Sequence, residues 1–151
     1  MLKMYEVPEA YRTLDERYMT EYLRQTQRTE LRELITVITK ISKRKGSPID
    51  VFDIGVGNAR IPIILAGIKE IWKCIGKYVG IDISNVCLRA AKNNVLLYKL
   101  SDKVIIKNFD ARNLSQLVIS SKKKYDLVIC TILLQVTLYL IHFPLMEKLI
   151  T

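Results

Sequence analysis

The sequence predicts an α/β fold, a parallel sheet with flanking helices behind an N-terminal helical extension. Short apolar runs alternate with segments of helical periodicity from residue 49 onward, a Gly-x-Gly turn follows the first run, and acidic residues stand at the ends of the runs. Strands and helices in this alternation imply right-handed crossovers and parallel pairing. A chain of 151 residues predicts one domain. Its 50% hydrophobic content supports a core and excludes a disordered tail or a disulfide mini-protein.

Taken in order, residues 9–44 read as helix. Leu31, Leu34, Ile35, Ile38 and Ile41 recur at three- and four-residue spacing on one face, with Arg28, Glu30, Arg32, Glu33 and Lys40 opposite. Tyr11, Leu14, Tyr18 and Tyr22 form an upstream stripe that reads as packing. The run Lys43 to Pro48 ends the helix with charge and turn chemistry. Residues 1–48 are thus the helical extension. Ile49–Ile54 is a short strand, and Gly55-Val56-Gly57-Asn58 closes it. Ile61, Ile64, Leu65, Ile68, Ile71 and Trp72 follow at helical spacing. Tyr78–Asp82 is the second strand, 85–99 a helix, Lys103–Lys107 the third strand, 113–120 weakly helical and Tyr125–Cys130 the fourth strand. The core unit runs over 49–134, and 135–151 is an apolar tail.

The balance of 24 Lys+Arg against 15 Asp+Glu gives a formal charge of +9. That favours anionic partners without naming one, and it also suits simple solubility. Cys74, Cys87 and Cys130 are odd in number and lie inside apolar or helical patterns. They read as reduced thiols, which with the lack of an apolar signal region predicts a cytoplasmic protein. One histidine, His142, leaves no Cys/His cluster at metal spacing, and no metal is expected.

In a parallel sheet, ligands settle outside the carboxyl ends of the strands. Asp53, Gly55, Gly57 and Asn58 stand at the first of these ends, Asp82 and Ile83 at the second, and Asp110 and Ala111 after the third. Glycines let backbone approach a ligand, and a carboxylate accepts from vicinal ribose hydroxyls. Singly, each has a plain structural use, since tight turns use glycine and Asp caps helices. Together, in order, they describe a nucleoside-type pocket.

The run Val51-Phe52-Asp53-Ile54-Gly55-Val56-Gly57-Asn58-Ala59 resembles the first motif of class I S-adenosylmethionine-dependent methyltransferases. Tyr78-Val79-Gly80-Ile81-Asp82-Ile83-Ser84 is similar to the second, Asn108-Phe109-Asp110-Ala111 to the third, and Tyr125-Asp126-Leu127-Val128-Ile129-Cys130 to the fourth-strand motif. The resemblance spans roughly residues 30–134 and implies a Rossmann-like fold with S-adenosyl-L-methionine as cofactor. It implies that Asp53 and the Gly55–Gly57 backbone hold the methionine moiety, that Asp82 binds the ribose hydroxyls, and that Ile83 packs on adenine. Asp110 would reach the adenine amino group, with the Ala111 backbone beside the ring. A dinucleotide fingerprint starting at Gly55 would need glycine where Arg60 stands. The chain departs from the family at Ala59, where many members have a third glycine.

No motif supplies a catalytic residue, as suits a reaction that depends chiefly on positioning. Amino-methylating relatives often carry an Asn/Asp-Pro-Pro-Tyr run after the fourth strand; Cys130-Thr131-Ile132-Leu133-Leu134 stands there instead. Cys130, in an apolar run, reads as structural. The methyl acceptor is left unknown.

The family's sheet is larger than this chain supplies, so the reading expects a domain with an incomplete C-terminal half. From Leu127 to Met146 twenty residues carry no charge. That is long enough to span a bilayer, with Lys122–Lys124 at its flank. Thr131, Gln135, Thr137, His142, Pro144 and the need for a fourth strand argue against a membrane role. Plausible codons read one base earlier resume a pattern similar to the family's continuation. Two readings of the tail therefore stand side by side: native sequence, or a frameshift product from about Thr131 on. Truncation would expose the fourth strand as an edge able to self-associate, directly or through the apolar tail. A catalytically inactive cofactor-binding remnant or interaction module is the second reading. A basic nucleic-acid-binding protein is the third, resting on the charge and on Lys43–Lys45 and Lys122–Lys124. Those clusters lack the interleaved aromatics of a strand-binding surface.

Overall fold

In a computed structural model the described residues are 21–114 and 124–130, with side chains described from residue 28. The element order is α1 (Glu21–Lys45), β1 (Ile49–Ile54), α2 (Arg60–Gly67), α3 (Lys69–Lys73), β2 (Ile75–Asp82), α4 (Asn85–Leu97), β3 (Val104–Asn108), a 3₁₀ turn (Ala111–Asn113) and β4 (Leu127–Ile129). The four strands pair in the order β3-β2-β1-β4, all parallel. The α/β parallel sheet expected from the sequence is therefore present. Strand order reverses beside β1, which creates the crevice where ligands of such sheets bind.

Alternation along the strands divides the core between the two faces. Ile49 and Val51 of β1, Tyr78 of β2 and Val104 of β3 pack with Ile38 of α1, Leu65 of α2 and Ala91 and Val95 of α4. Leu31, Leu34, Ile35 and Ile41 join this layer, so the stripe read on α1 is its buried face. On the other face, Phe52, Ile54, Val79 and Ile81 meet Leu114 and Tyr125. The Phe52 and Tyr125 rings lie 4.9 Å apart. Each fully buried large side chain here contributes about 1.5–3 kcal/mol.

Most boundaries shift from the sequence reading by one to three residues, among them β3 (Val104–Asn108 for Lys103–Lys107), β4 (Leu127–Ile129 for Tyr125–Cys130) and the end of α4 (Leu97 for residue 99), and three differences have a structural reason. The helix expected across Ile61–Trp72 is two helices, because Ile68 after Gly67 takes an extended conformation (φ −106°, ψ 90°) and restarts the chain at Lys69. β2 begins at Ile75 rather than Tyr78. Its pairing jumps from Ile49↔Ile75 to Val51↔Tyr78, and the Asp50 carboxylate accepts the Lys77 N–H (2.9 Å) where the ladder slips. After the third strand, a 3₁₀ turn over Ala111–Asn113 precedes the segment read as weakly helical, of which 115–120 lies outside the described residues. Tyr11, Leu14 and Tyr18 of the upstream stripe, Lys122–Lys123 and everything from Thr131 on, including the tail and its proposed frameshift, also lie outside them, as does the side chain of Tyr22. β4 is the last strand of the described sheet on its side. Among the described residues no helix is long and apolar enough to cross a membrane.

Candidate functional site

The parallel register aligns the carboxyl ends of β1, β2 and β3. Ile54 pairs with Ile81, and Asp82 with Asn108. The chain then leaves each strand on the same side, and hydrogen bonds tie the three exits together. The Gly55 and Val56 N–H groups both donate to the Ile81 carbonyl at 2.9 Å. The Gly57 N–H donates to Asp82 Oδ2 (2.9 Å), and the Phe109 N–H donates to the Asp82 carbonyl (3.0 Å). Asp82 is therefore the residue at which all three expected motifs meet.

Gly55 (φ 82°) and Gly57 (φ 57°) take left-handed conformations that side chains oppose. Ala59 does the same at φ 64°, with its methyl fully buried. It stands at the start of α2 and caps it with no side-chain hydrogen bond. The position where the family often has glycine thus still requires glycine-like backbone, and alanine occupies it with strain of about 1–2 kcal/mol. Asn58 is held from behind, its carbonyl accepting from the fully buried Asn94 amide of α4 (2.9 Å).

Gly80 explains the depth of this loop. A Cβ there would lie 2.6 Å from Val56 Cγ2, so the loop settles onto β2 only because position 80 carries no side chain. Asn94 and Gly80 were not singled out from the sequence. An amide on the apolar face of a helix was the available signal for Asn94. For Gly80 it was a glycine inside a strand, which marks close approach of another segment.

Asp82 is partly buried, and Oδ1 accepts the Ser84 N–H (2.8 Å) while Oδ2 accepts that of Gly57. An ionised carboxylate has about four acceptor positions, so each oxygen keeps capacity for another donor. Beside it Ile83 is 58% exposed, an apolar side chain standing free at the crevice. Ser84 caps α4 by accepting the Cys87 N–H (3.3 Å).

Asp110 stands at the third exit, where it caps the 3₁₀ turn that begins at Ala111. Arg112 donates to both of its oxygens through Nε and Nη2, and its backbone N–H donates to Oδ1 (2.9 Å). These bonds hold the Asp110 carboxyl below its usual range. The Arg112 clamp is a third feature the sequence reading missed; an arginine two residues on was its only sign.

Asp53 does not share the exposed rim with the others. It is 1% exposed, beneath the glycine loop. Burial pushes its pKa up to about 7, against a hydrogen bond from the Tyr78 hydroxyl to Oδ2 (2.6 Å) that lowers it. The Asp82 charge raises it and Arg60 lowers it. Cys130, after β4, is pushed up chiefly by burial and further by the Asp53 charge, so it stays a thiol and is no ready nucleophile. Among the described residues no group of three or more His, Cys, Asp or Glu is placed to hold a metal ion.

The arrangement offers a buried carboxyl at Asp53, remaining acceptor positions on Asp82 and an exposed apolar side chain at Ile83. Comparisons with known proteins agree in fold. The solved structure of an S-adenosylmethionine-dependent methyltransferase from Thiobacillus denitrificans, in complex with S-adenosyl-L-homocysteine, matches with a TM-score of 0.58 at 15% identity. The match covers 97% of this chain and 52% of that one, so the chain spans about half that protein's length. An O-methyltransferase from Bacillus cereus matches with a TM-score of 0.59 at 16% identity, over 94% of this chain and 68% of that one. A human methyltransferase 10 domain containing protein matches with a TM-score of 0.52 at 20% identity, over 66% and 45% of the two chains. No curated protein matches the sequence. A family model described as ribosomal protein L11 methyltransferase (PrmA) matches residues 29–146, which includes all four strand-end motifs. By that match the chain belongs to the ribosomal protein L11 methyltransferase (PrmA) family, within the class I S-adenosylmethionine-dependent methyltransferases.

Proposed function

We propose that this chain binds S-adenosyl-L-methionine across the carboxyl ends of β1, β2 and β3 and serves methyl transfer to an acceptor. The observation that carries the reading is the convergence on Asp82, whose side chain receives the glycine loop and whose carbonyl receives the third-strand exit. In this reading Asp82 takes the ribose hydroxyls with its remaining acceptor positions. Ile83 covers one face of the adenine. Asp110 accepts the adenine amino group in place of one of its Arg112 contacts, with the Ala111 backbone at the ring edge. Asp53 lies under the methionine end, where Gly55, Gly57 and Asn58 supply backbone that can approach closely.

The fit is supported by Asp53 Oδ1, a buried oxygen to which no described residue donates, at the place where the cofactor's ammonium group would sit. Bound there, S-adenosylmethionine supplies a methyl group on a sulfonium, ready for in-line displacement. The residues of this chain would orient that group and exclude water rather than act as a strong base. The acceptor stays open; ribosomal protein L11, named in the family's description, is the first to assay.

The test is calorimetric titration of S-adenosylmethionine and S-adenosylhomocysteine into the wild-type chain and into Asp82→Ala. Binding in the wild type that falls at least about 100-fold in the variant is expected, since several polar contacts are lost at once. A folded wild-type chain that binds neither compound would overturn the reading.

A further inference from the structure

A hydroxyl in the middle of an apolar strand needs a partner, and the register of β1 on β2 gives Tyr78 one. Val51 pairs with Tyr78 and Asp53 with Gly80, so Tyr78 and Asp53 share a face. Tyr78 is fully buried and donates to Asp53 Oδ2 at 2.6 Å. The other groups facing this carboxyl are Asp82 from the end of β2, Arg60 from the start of α2, and the Cys130 thiol after β4. None of the described residues donates to Oδ1. Among the described residues, one oxygen of a buried carboxyl is thus occupied and the other has no donor, beneath the glycine loop.

We propose that Tyr78 is a positioning residue for cofactor binding: its hydroxyl holds one oxygen of Asp53 and leaves the other for the ammonium group of the cofactor's methionine end. This rests on the S-adenosylmethionine reading above. The hydroxyl also favours the ionised carboxylate, which burial opposes and which an ammonium group requires. A hydroxyl that merely satisfied a core polar group would not distinguish ligands with and without that ammonium, and this difference gives the test.

S-adenosylhomocysteine and 5′-methylthioadenosine, which lacks the amino-acid end, are titrated into wild type and Tyr78→Phe between about pH 6 and 8.5. At neutral pH the variant is expected to bind S-adenosylhomocysteine about ten-fold more weakly, the loss shrinking as pH rises and the carboxyl ionises without its donor. Affinity for 5′-methylthioadenosine is expected to stay within about two-fold at every pH. Equal weakening of both ligands, or no weakening of either, overturns the proposal. Should Tyr78→Phe fail to fold, Asp53→Asn is compared with Asp53→Asn carrying Tyr78→Phe. Once the charge is gone, loss of the hydroxyl is expected to change neither affinity, and a further loss in the double variant overturns the positioning role. A wild type that binds neither ligand overturns the cofactor reading itself, whereas a wild type that binds both without the predicted variant difference overturns only the role of Tyr78.

Discussion

The two ends of β1 each place a carboxyl group in the sheet, and they treat it in opposite ways. At the amino end, Asp50 and Asp126 exchange bonds: the Asp50 N–H donates to Asp126 Oδ2 (2.7 Å), and the Asp126 N–H donates to the Asp50 carbonyl (2.9 Å). Lys45 reaches from the end of α1 to the same Asp126 oxygen at 2.7 Å. Desolvation pushes the Asp126 carboxyl up, but the Lys45 and Asp50 hydrogen bonds and the Lys45 charge outweigh it and hold it below its usual range. At the carboxyl end, Asp53 is buried with one neutral donor among the described residues and is pushed up to about 7. The first end stabilises the fold. The second holds a group the fold would be more stable without, as expected where a ligand is to supply the missing partner.

The sharpest way to break this contrast is to neutralise Asp53. An ordinary carboxyl of the unfolded chain titrates near 3.8 and the folded one near 7, so between those values the folded state binds the extra proton. Stability of the free protein therefore falls as pH rises across that window. Asp53→Asn is expected to raise stability by ~3–4 kcal/mol at pH 8, with the gain vanishing toward pH 4. Urea unfolding at the two pH values measures it, and a variant less stable than wild type at the higher pH would count against the account.

Gly80→Ala should act next most strongly, and in the other direction. Its new methyl meets Val56 Cγ2 at 2.6 Å and Cβ at 2.7 Å, which lifts the loop from β2. A cost of about 3 kcal/mol, with loss of cofactor binding, is expected by denaturation and calorimetry. At the amino end, Asp126→Ala is expected to cost about 2 kcal/mol at neutral pH while leaving cofactor affinity unchanged. Because the folded carboxyl is held low, its stabilisation is complete above the unfolded value and is lost as pH falls through the folded one, so the two proteins should converge in acid. Ala59→Gly sharpens the comparison at small scale. Relief of the left-handed strain is offset by a lost buried methyl and a freer unfolded chain, so the net change should stay under ~1 kcal/mol.

Much of this was legible in the sequence because it is local. The apolar run Val51-Phe52 into Gly55-Val56-Gly57, the Ile81-Asp82 exit and the Asn108-Phe109-Asp110 exit are short-range patterns, and the sheet brings all three together. The stripe on α1 showed its buried face for the same reason. What stayed hidden depends on register. Ile75 and Gly76 join β2 because the Asp50 side chain across the ladder takes the Lys77 N–H, a contact between residues distant in sequence. The Tyr78–Asp53 bond and the fit of Gly80 under Val56 follow from the same slip. A strand-end Asp also reads alike whether it stands exposed or lies beneath a loop. The sequence could set Asp53 and Asp82 at consecutive strand ends, but not bury one and leave the other open.

Hydrogen exchange with and without S-adenosylhomocysteine compares the two ends in one experiment. Added ligand is predicted to slow exchange at residues 56–59, 83–84 and 109–112, and to leave residues 49–50, 77 and 126 unchanged. Protection confined to the amino ends of the strands, or none at the glycine loop despite binding, would contradict the site described here.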